Sequence, residues 1–167
     1  VKRNQIKING IDINDYRMNA YKEGISYVSQ KEMLFTDTLE NNLNFHATDE
    51  KQILEVSKMC EVDEVIKDNN LGYKMLIEEN GNNISGGEKQ RIVLARSLLK
   101  PFNLLIIDEG LNQMDVNLER RILKRIMDKY NDKTIIIVTH RLENMDLFDR
   151  VIELKDGSIK KVVSKHG

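Results

Sequence analysis

Leu104-Leu105-Ile106-Ile107-Asp108-Glu109 sets four aliphatic residues directly before two carboxylates. An unbroken aliphatic run of this length is the pattern of a strand covered on both faces, and such strands build parallel sheets. In open α/β sheets ligands bind at the carboxyl ends of the strands. An acidic pair there can hold Mg2+ through one oxygen donor and use the other to orient or deprotonate a water. The same six residues also suit a strand that simply leaves the core into a solvated turn. The surrounding chain decides between the two.

Downstream, Ile135-Ile136-Ile137-Val138-Thr139-His140 repeats the grammar, a β-branched run that ends polar. A histidine at such an edge can donate to a phosphate oxygen or orient a water; taken alone, His140 reads first as a side chain exposed past a strand end. Upstream, Gly24 to Gln30 reads as a short strand running into a polar loop. Gln30 could offer a carbonyl to Mg2+ or an amide to a water, and by itself is an ordinary loop glutamine. Between these lie apolar residues at three- and four-residue spacing. They predict a capped helix at Thr38–Leu43, helices at Lys51–Met59 and Val62–Ile66, and an all-helical middle portion. A longer helix from Ser85 to about Lys100 stops at Pro101, the single proline. Further elements are a strand over Asn103–Ile107, a helix over Leu118–Tyr130, a strand over Thr134–Val138 and a short helix over Leu142–Phe148. Hairpins are predicted at Asn9-Gly10 and Asp156-Gly157. Strands alternating with helices predict an α/β fold with a parallel sheet.

Composition narrows the classes. With 167 residues, 40% of them hydrophobic, the chain can fill one core. Its 26 basic and 27 acidic residues leave a net charge of -1, and aromatics are 5% with no Trp. Neither an electrostatic pull toward nucleic acid nor a base-stacking surface is expected. The single Cys60 rules out an internal disulfide framework and suits a reducing compartment. No apolar run is long enough to span a bilayer.

The stretch Asn83-Ile84-Ser85-Gly86-Gly87-Glu88-Lys89-Gln90-Arg91 opens the long helix with two glycines. Ser85 and Glu88 fit a capping box. The glycines do not follow from it, since each is about 1 kcal/mol worse than Ala inside a helix. Bare backbone at the positive end of a helix dipole suits a phosphate.

Taken together, YVSQ, ISGGEKQR, LLIIDE, Met114-Asp115 and VTHR resemble the ordered motif set of an ABC-type ATPase domain. Gln30 matches the Q-loop glutamine, Ser85 to Glu88 the signature motif, Asp108 and Glu109 the Walker B aspartate and catalytic glutamate, Asp115 the D-loop aspartate and His140 the switch histidine. The intervals also agree: 55 residues from Gln30 to Ser85, 23 from Ser85 to Asp108 and 31 from Glu109 to His140. The resemblance implies a P-loop NTPase-like parallel core with a helical subdomain. Residues 1–30 would start the core up to the Q-loop, about 31–100 form the helical subdomain and signature helix, and 101–167 carry Walker B, D-loop, switch histidine and a C-terminal hairpin. It implies ATP and Mg2+ as cofactors, with Asp108 and Gln30 serving the metal, Glu109 polarising the attacking water and His140 touching the γ-phosphate. Ser85, Gly86, Gly87, Glu88, Gln30 and Asp115 would contact nucleotide. A second ATPase domain and a transmembrane domain at the cytoplasmic face of a membrane are the implied partners.

Departures from the family pattern matter as well. None of the nine glycines is followed by Lys, so no GxxxxGK[ST] cradle is present. The chain therefore resembles a domain truncated at its N-terminus, which on its own is expected to be inactive. Loss of the P-loop strand is expected to leave a gap or self-association between the strand at 135–138 and that at 151–154. Gly110 replaces the family's usual proline, and Leu111-Asn112-Gln113-Met114 its Thr-Ser-Ala-Leu. Glu79-Asn80-Gly81 and the stretch Leu34 to Leu43 resemble exporter segments, which points to export, with a peptide or bacteriocin as cargo. The alternative is a soluble ABC-type ATPase acting on DNA or ribosomes. Chromosome-maintenance types need a long coiled coil where this chain has 55 residues, and ribosome-binding types need tandem domains and a basic linker.

Overall fold

The computed structural model describes residues 2–17, 22–31, 33–44 and 49–165. Its centre is a parallel three-stranded sheet of β3 (Ile25–Val28), β6 (Leu104–Asp108) and β7 (Thr134–Val138), in the order β3-β6-β7. The register pairs Tyr27 with Ile106 and Ile106 with Ile136. One face of this sheet is packed. Val28, Leu105 and Ile107 are fully buried together with Ile92 and Leu94 of α4 (Gly86–Leu99). Helix α5 (Val116–Lys129) adds Ile122, Leu123 and Ile126 to the same core, with Leu118 and Tyr130 packed partly against it. Cys60 is buried there, which pushes its thiol far up and makes it inert.

The other face departs from the expectation of strands covered on both sides. Tyr27, Ile136 and Val138 are about half exposed, and β6 alternates buried with half-buried residues. No helix of the described residues covers this face. β7 pairs with β6 alone among the described strands, while β8 (Arg150–Lys155) and β9 (Ser158–Ser164) form their own antiparallel ladder.

The small elements follow their turn chemistry. β1 (Lys7–Ile8) and β2 (Ile11–Asp12) are joined by Asn9 and Gly10 at φ 50° and 80°, and Asp156 and Gly157 repeat this at 49° and 73°. Both pairs supply the positive angles that a tight hairpin turn requires. Thr38 caps α1 (Leu39–Leu43), accepting from the Asn41 amide. α2 (Glu50–Met59) and α3 (Asp63–Ile66) follow as expected.

The middle portion is not all helical, however. β4 (Asp37–Thr38) pairs with β5 (Leu76–Ile77), a two-residue ladder too short to show a periodicity. The buried Asn42 amide ties this region down by bonding Phe35 in both directions. The helix expected over Leu142–Phe148 is also reduced to one 3-10 turn at Met145–Leu147. Arg120 holds that turn through a two-pronged contact with Asp146, which fixes it by a tertiary ion pair where helical spacing alone suggested a longer element.

Candidate functional site

Gln30, Asp108, Glu109 and His140 all lie at or within two residues of the carboxyl ends of β3, β6 and β7. Parallel pairing in one register brings these ends to a common edge. Asp108 is the last residue of β6, opposite Val138. Its Oδ2 accepts a 2.9 Å hydrogen bond from the Tyr27 hydroxyl, and that bond raises the Tyr27 phenol above its ordinary value. Glu109 takes the next step with φ at 52°, a left-handed conformation that costs a non-glycine residue about 1–3 kcal/mol. The surroundings hold it there: its amide donates to the Val138 carbonyl at 3.0 Å, and its Oε2 accepts from Gln30 Nε2 at 2.7 Å. His140 Nδ1 stands 3.8 Å from Glu109 Oε1, beyond direct hydrogen-bond range.

Gly110 is explained by packing. A Cβ there would stand 2.5 Å from Val28 Cγ1, which is completely buried. The bare α-carbon lets Val28 close over the turn, and it frees Glu109 from the extended backbone that a following proline imposes.

For Mg2+, the donor set fits an ion that arrives with a nucleotide. Among the described residues, Asp108 Oδ1 and the Gln30 carbonyl take no hydrogen bond, and no group of three or more His, Cys, Asp or Glu could hold a metal unaided. Mg2+ characteristically takes one or two protein oxygens and completes its shell with phosphates and waters.

The second cluster is the start of α4. The capping box forms as expected: Ser85 Oγ accepts from the Glu88 amide and the Ser85 amide donates to Glu88 Oε2 at 2.7 Å. What approaches the glycines is loop 111–115 of the same chain. A Cβ on Gly86 would lie 1.5 Å from Gln113 Oε1, and one on Gly87 would lie 3.2 Å from the Gln113 carbonyl oxygen. Asp115, the D-loop match, caps α5 by accepting from the Leu118 amide at 2.9 Å. The two clusters are thus linked through this loop.

Several residues at the site were given no role by the sequence. Tyr27 and Arg141 lie inside quoted motifs, and Gln90 inside the signature helix, where it is wholly buried. Their partners are 22 to 81 residues away, so spacing carried no signal.

Comparison with known proteins bears on the identity of this arrangement. A family model described as ABC transporter matches residues 1–112. The ATP-dependent lipid A-core flippase of Pasteurella multocida (strain Pm70) is 34% identical over 164 residues, covering 96% of this chain and 28% of the flippase. The lactococcin transport/processing ATP-binding protein LcnC-like of Lactococcus lactis subsp. lactis (strain IL1403) is 33% identical over 157 residues, covering 92% of this chain and 22% of that protein. A solved bacterial Atm1-family ABC exporter with ATP bound superposes with a TM-score of 0.88 at 27% identity, covering 95% of this chain and 28% of that one. The chain spans between 22% and 28% of the length of these relatives. The family model matches more than half of the 167 residues, and the structural likeness extends across nearly all of them: the chain belongs to the ABC transporter family.

Proposed function

We propose that this chain supplies the Walker B, Q-loop, switch and signature parts of an ABC exporter ATPase, with a P-loop from elsewhere completing each site. The observation that supports this most is the convergence of Gln30, Asp108, Glu109 and His140, with Gln30 at 2.7 Å and His140 at 3.8 Å from the Glu109 carboxylate. Asp108 and Gln30 would hold Mg2+, which would supply positive charge against the phosphates. Glu109 accepts the hydrogen bond of the attacking water, for which its second oxygen is free of Gln30. His140, two thirds exposed, faces the γ-phosphate. Two such domains enclose two ATP molecules, and the Ser85–Glu88 cap of one completes the site of the other. Closing and opening of that sandwich moves attached transmembrane segments at the cytoplasmic face of a membrane. None of the described helices is itself long and apolar enough to cross one.

In this reading residues 1–30 begin the nucleotide core, about 31–100 form the helical subdomain toward the membrane partner, and 101–167 return to the core. Among cargoes we favour a peptide, supported by the likeness to the lactococcin transport/processing protein. The test joins this chain to a P-loop-bearing segment in one polypeptide. Glu109→Gln should lower hydrolysis at least about 100-fold while ATP still binds. The 167-residue chain by itself should show no turnover. Hydrolysis by Glu109→Gln at the parent rate would refute the assignment.

A further inference from the structure

The most heavily bonded side chain near the site belongs to no part of the chemistry above. Arg141, directly after His140, sends its guanidinium into loop 111–115. Nη1 donates to the Met114 carbonyl at 2.8 Å, and Nη2 donates to the Asn112 carbonyl. Nη1 also pairs at 2.7 Å with Glu119 of α5, a carboxylate only 4% exposed. A planar fork with fixed donors suits this task, since a lysine ammonium could not span the same acceptors in one geometry.

On its other side the same loop is held by Gln90. Gln90 Nε2 donates to Asn112 Oδ1 and Gln90 Oε1 accepts from the Gln113 amide, each at 2.9 Å. Gln90 is fully buried, so leaving either bond unmade would strand a polar group. Loop 111–115 therefore carries two clamps, one from the switch segment and one from the second turn of the signature helix. Its Gln113 lies directly against Gly86 and Gly87.

We propose that Arg141 is a positioning residue that ties the switch segment to the signature motif, through loop 111–115 and Gln90, so that the two move as one body. The inference rests on the proposed function for its consequence: His140 serves one ATP site and Gly86 and Gly87 serve the other. A displacement of the switch segment on meeting a γ-phosphate would then be passed to the opposite site by side-chain contacts within one chain.

The contact itself is tested on the 167-residue chain by amide NMR, without ATP. Arg141→Lys should speed exchange of the Gln113 amide about 10-fold and shift the Gly86 and Gly87 resonances, with the interior amides of α5 at Leu123 and Ile126 unchanged. Gln90→Met, which keeps buried volume but removes both bonds, should shift the Thr139 and Arg141 amides from the other end. Should Arg141→Lys fail to fold, this second variant alone decides. Stationary glycine resonances in Arg141→Lys, or stationary switch resonances in Gln90→Met, overturn the proposal. In the polypeptide that also carries a P-loop, Arg141→Lys should lower kcat about 10-fold with the KM for ATP held within about two-fold, the mark of misplacement and not of lost binding. An unchanged kcat overturns the proposal. Absence of hydrolysis by the unsubstituted polypeptide would instead refute the proposed function and leave the NMR result standing.

Discussion

Replacing Gly110 by alanine tests the packing that supports the turn at Glu109. The added methyl would meet Val28 Cγ1 at 2.5 Å and Ile107 Cγ2 at 3.4 Å. Both neighbours are fully buried, so neither can swing aside into solvent. Overpacking of this kind costs about 1–3 kcal/mol. For a chain of this length that lowers the melting temperature by roughly 2–12 °C. Val28→Ala alone should also destabilise, by about 1–3 kcal/mol, because it opens a small cavity. Together the two should compensate, since the new methyl enters the space that Val28 vacates, with a coupling of at least about 1 kcal/mol. Urea denaturation of all four chains measures the cycle. Additive losses, or a Gly110→Ala midpoint equal to that of the parent, would show that Val28 does not dictate the glycine. Gly110→Pro adds a backbone term, because the residue before a proline is driven to extended angles and Glu109 stands at φ 52°. Its loss should exceed that of alanine.

Two further substitutions probe how the site is anchored. Asp115→Ala removes the cap of α5, which should cost about 1 kcal/mol and lower the melting temperature by roughly 2–4 °C; an unchanged melt would mean that the 2.9 Å bond contributes nothing. Asp146 is pulled from 3.8 to about 2 by its hydrogen bonds from Arg120. A carboxylate depressed in the folded state adds stability that is fully present above its unfolded pKa and is lost as pH falls through the folded value. The parent should therefore lose stability between about pH 4 and pH 2 relative to Asp146→Asn, and thermal melts at pH 6, 4 and 2 that stay parallel for the two chains would contradict this.

The sequence disclosed the parallel core because its signals are local. Pro101 stops α4, the runs at 104–107 and 135–138 form β6 and β7, and Asn9-Gly10 and Asp156-Gly157 make their turns. The four residues at the strand ends were likewise legible, since motif order placed Gln30, Asp108, Glu109 and His140 and the parallel register brought them together. The β4–β5 ladder was hidden because each strand has two residues separated by 37 positions of helix and loop. Exposure on one face of the sheet was hidden for a different reason: Ile136 and Val138 have the composition of buried strand residues, and composition does not report whether anything lies above them. The Arg141 and Gln90 clamps end partly on backbone carbonyls and an amide, and their side-chain partners Glu119 and Asn112 each lie 22 residues away, so no local pattern of side chains could announce them.

The glycines of the signature helix carry two demands that point in different directions. Sideways, where a Cβ would project, loop 111–115 already occupies the space. For Gly86 the intruder is the tip of a side chain, which can rotate away. For Gly87 it is the backbone oxygen of Gln113, held in place by Gln90 and Arg141, which cannot. Along the axis the situation is the reverse. The first amides of a helix have no acceptor within it. The capping box engages the amides of Ser85 and Glu88, and under the proposed function those of Gly86 and Gly87 between them would be the donors for a phosphate. Fitting a loop against the lateral face therefore does not compete with fitting a phosphate at the end. It fixes the direction of the axis along which the two amides point, so the packing that forbids side chains is also what would aim the donors.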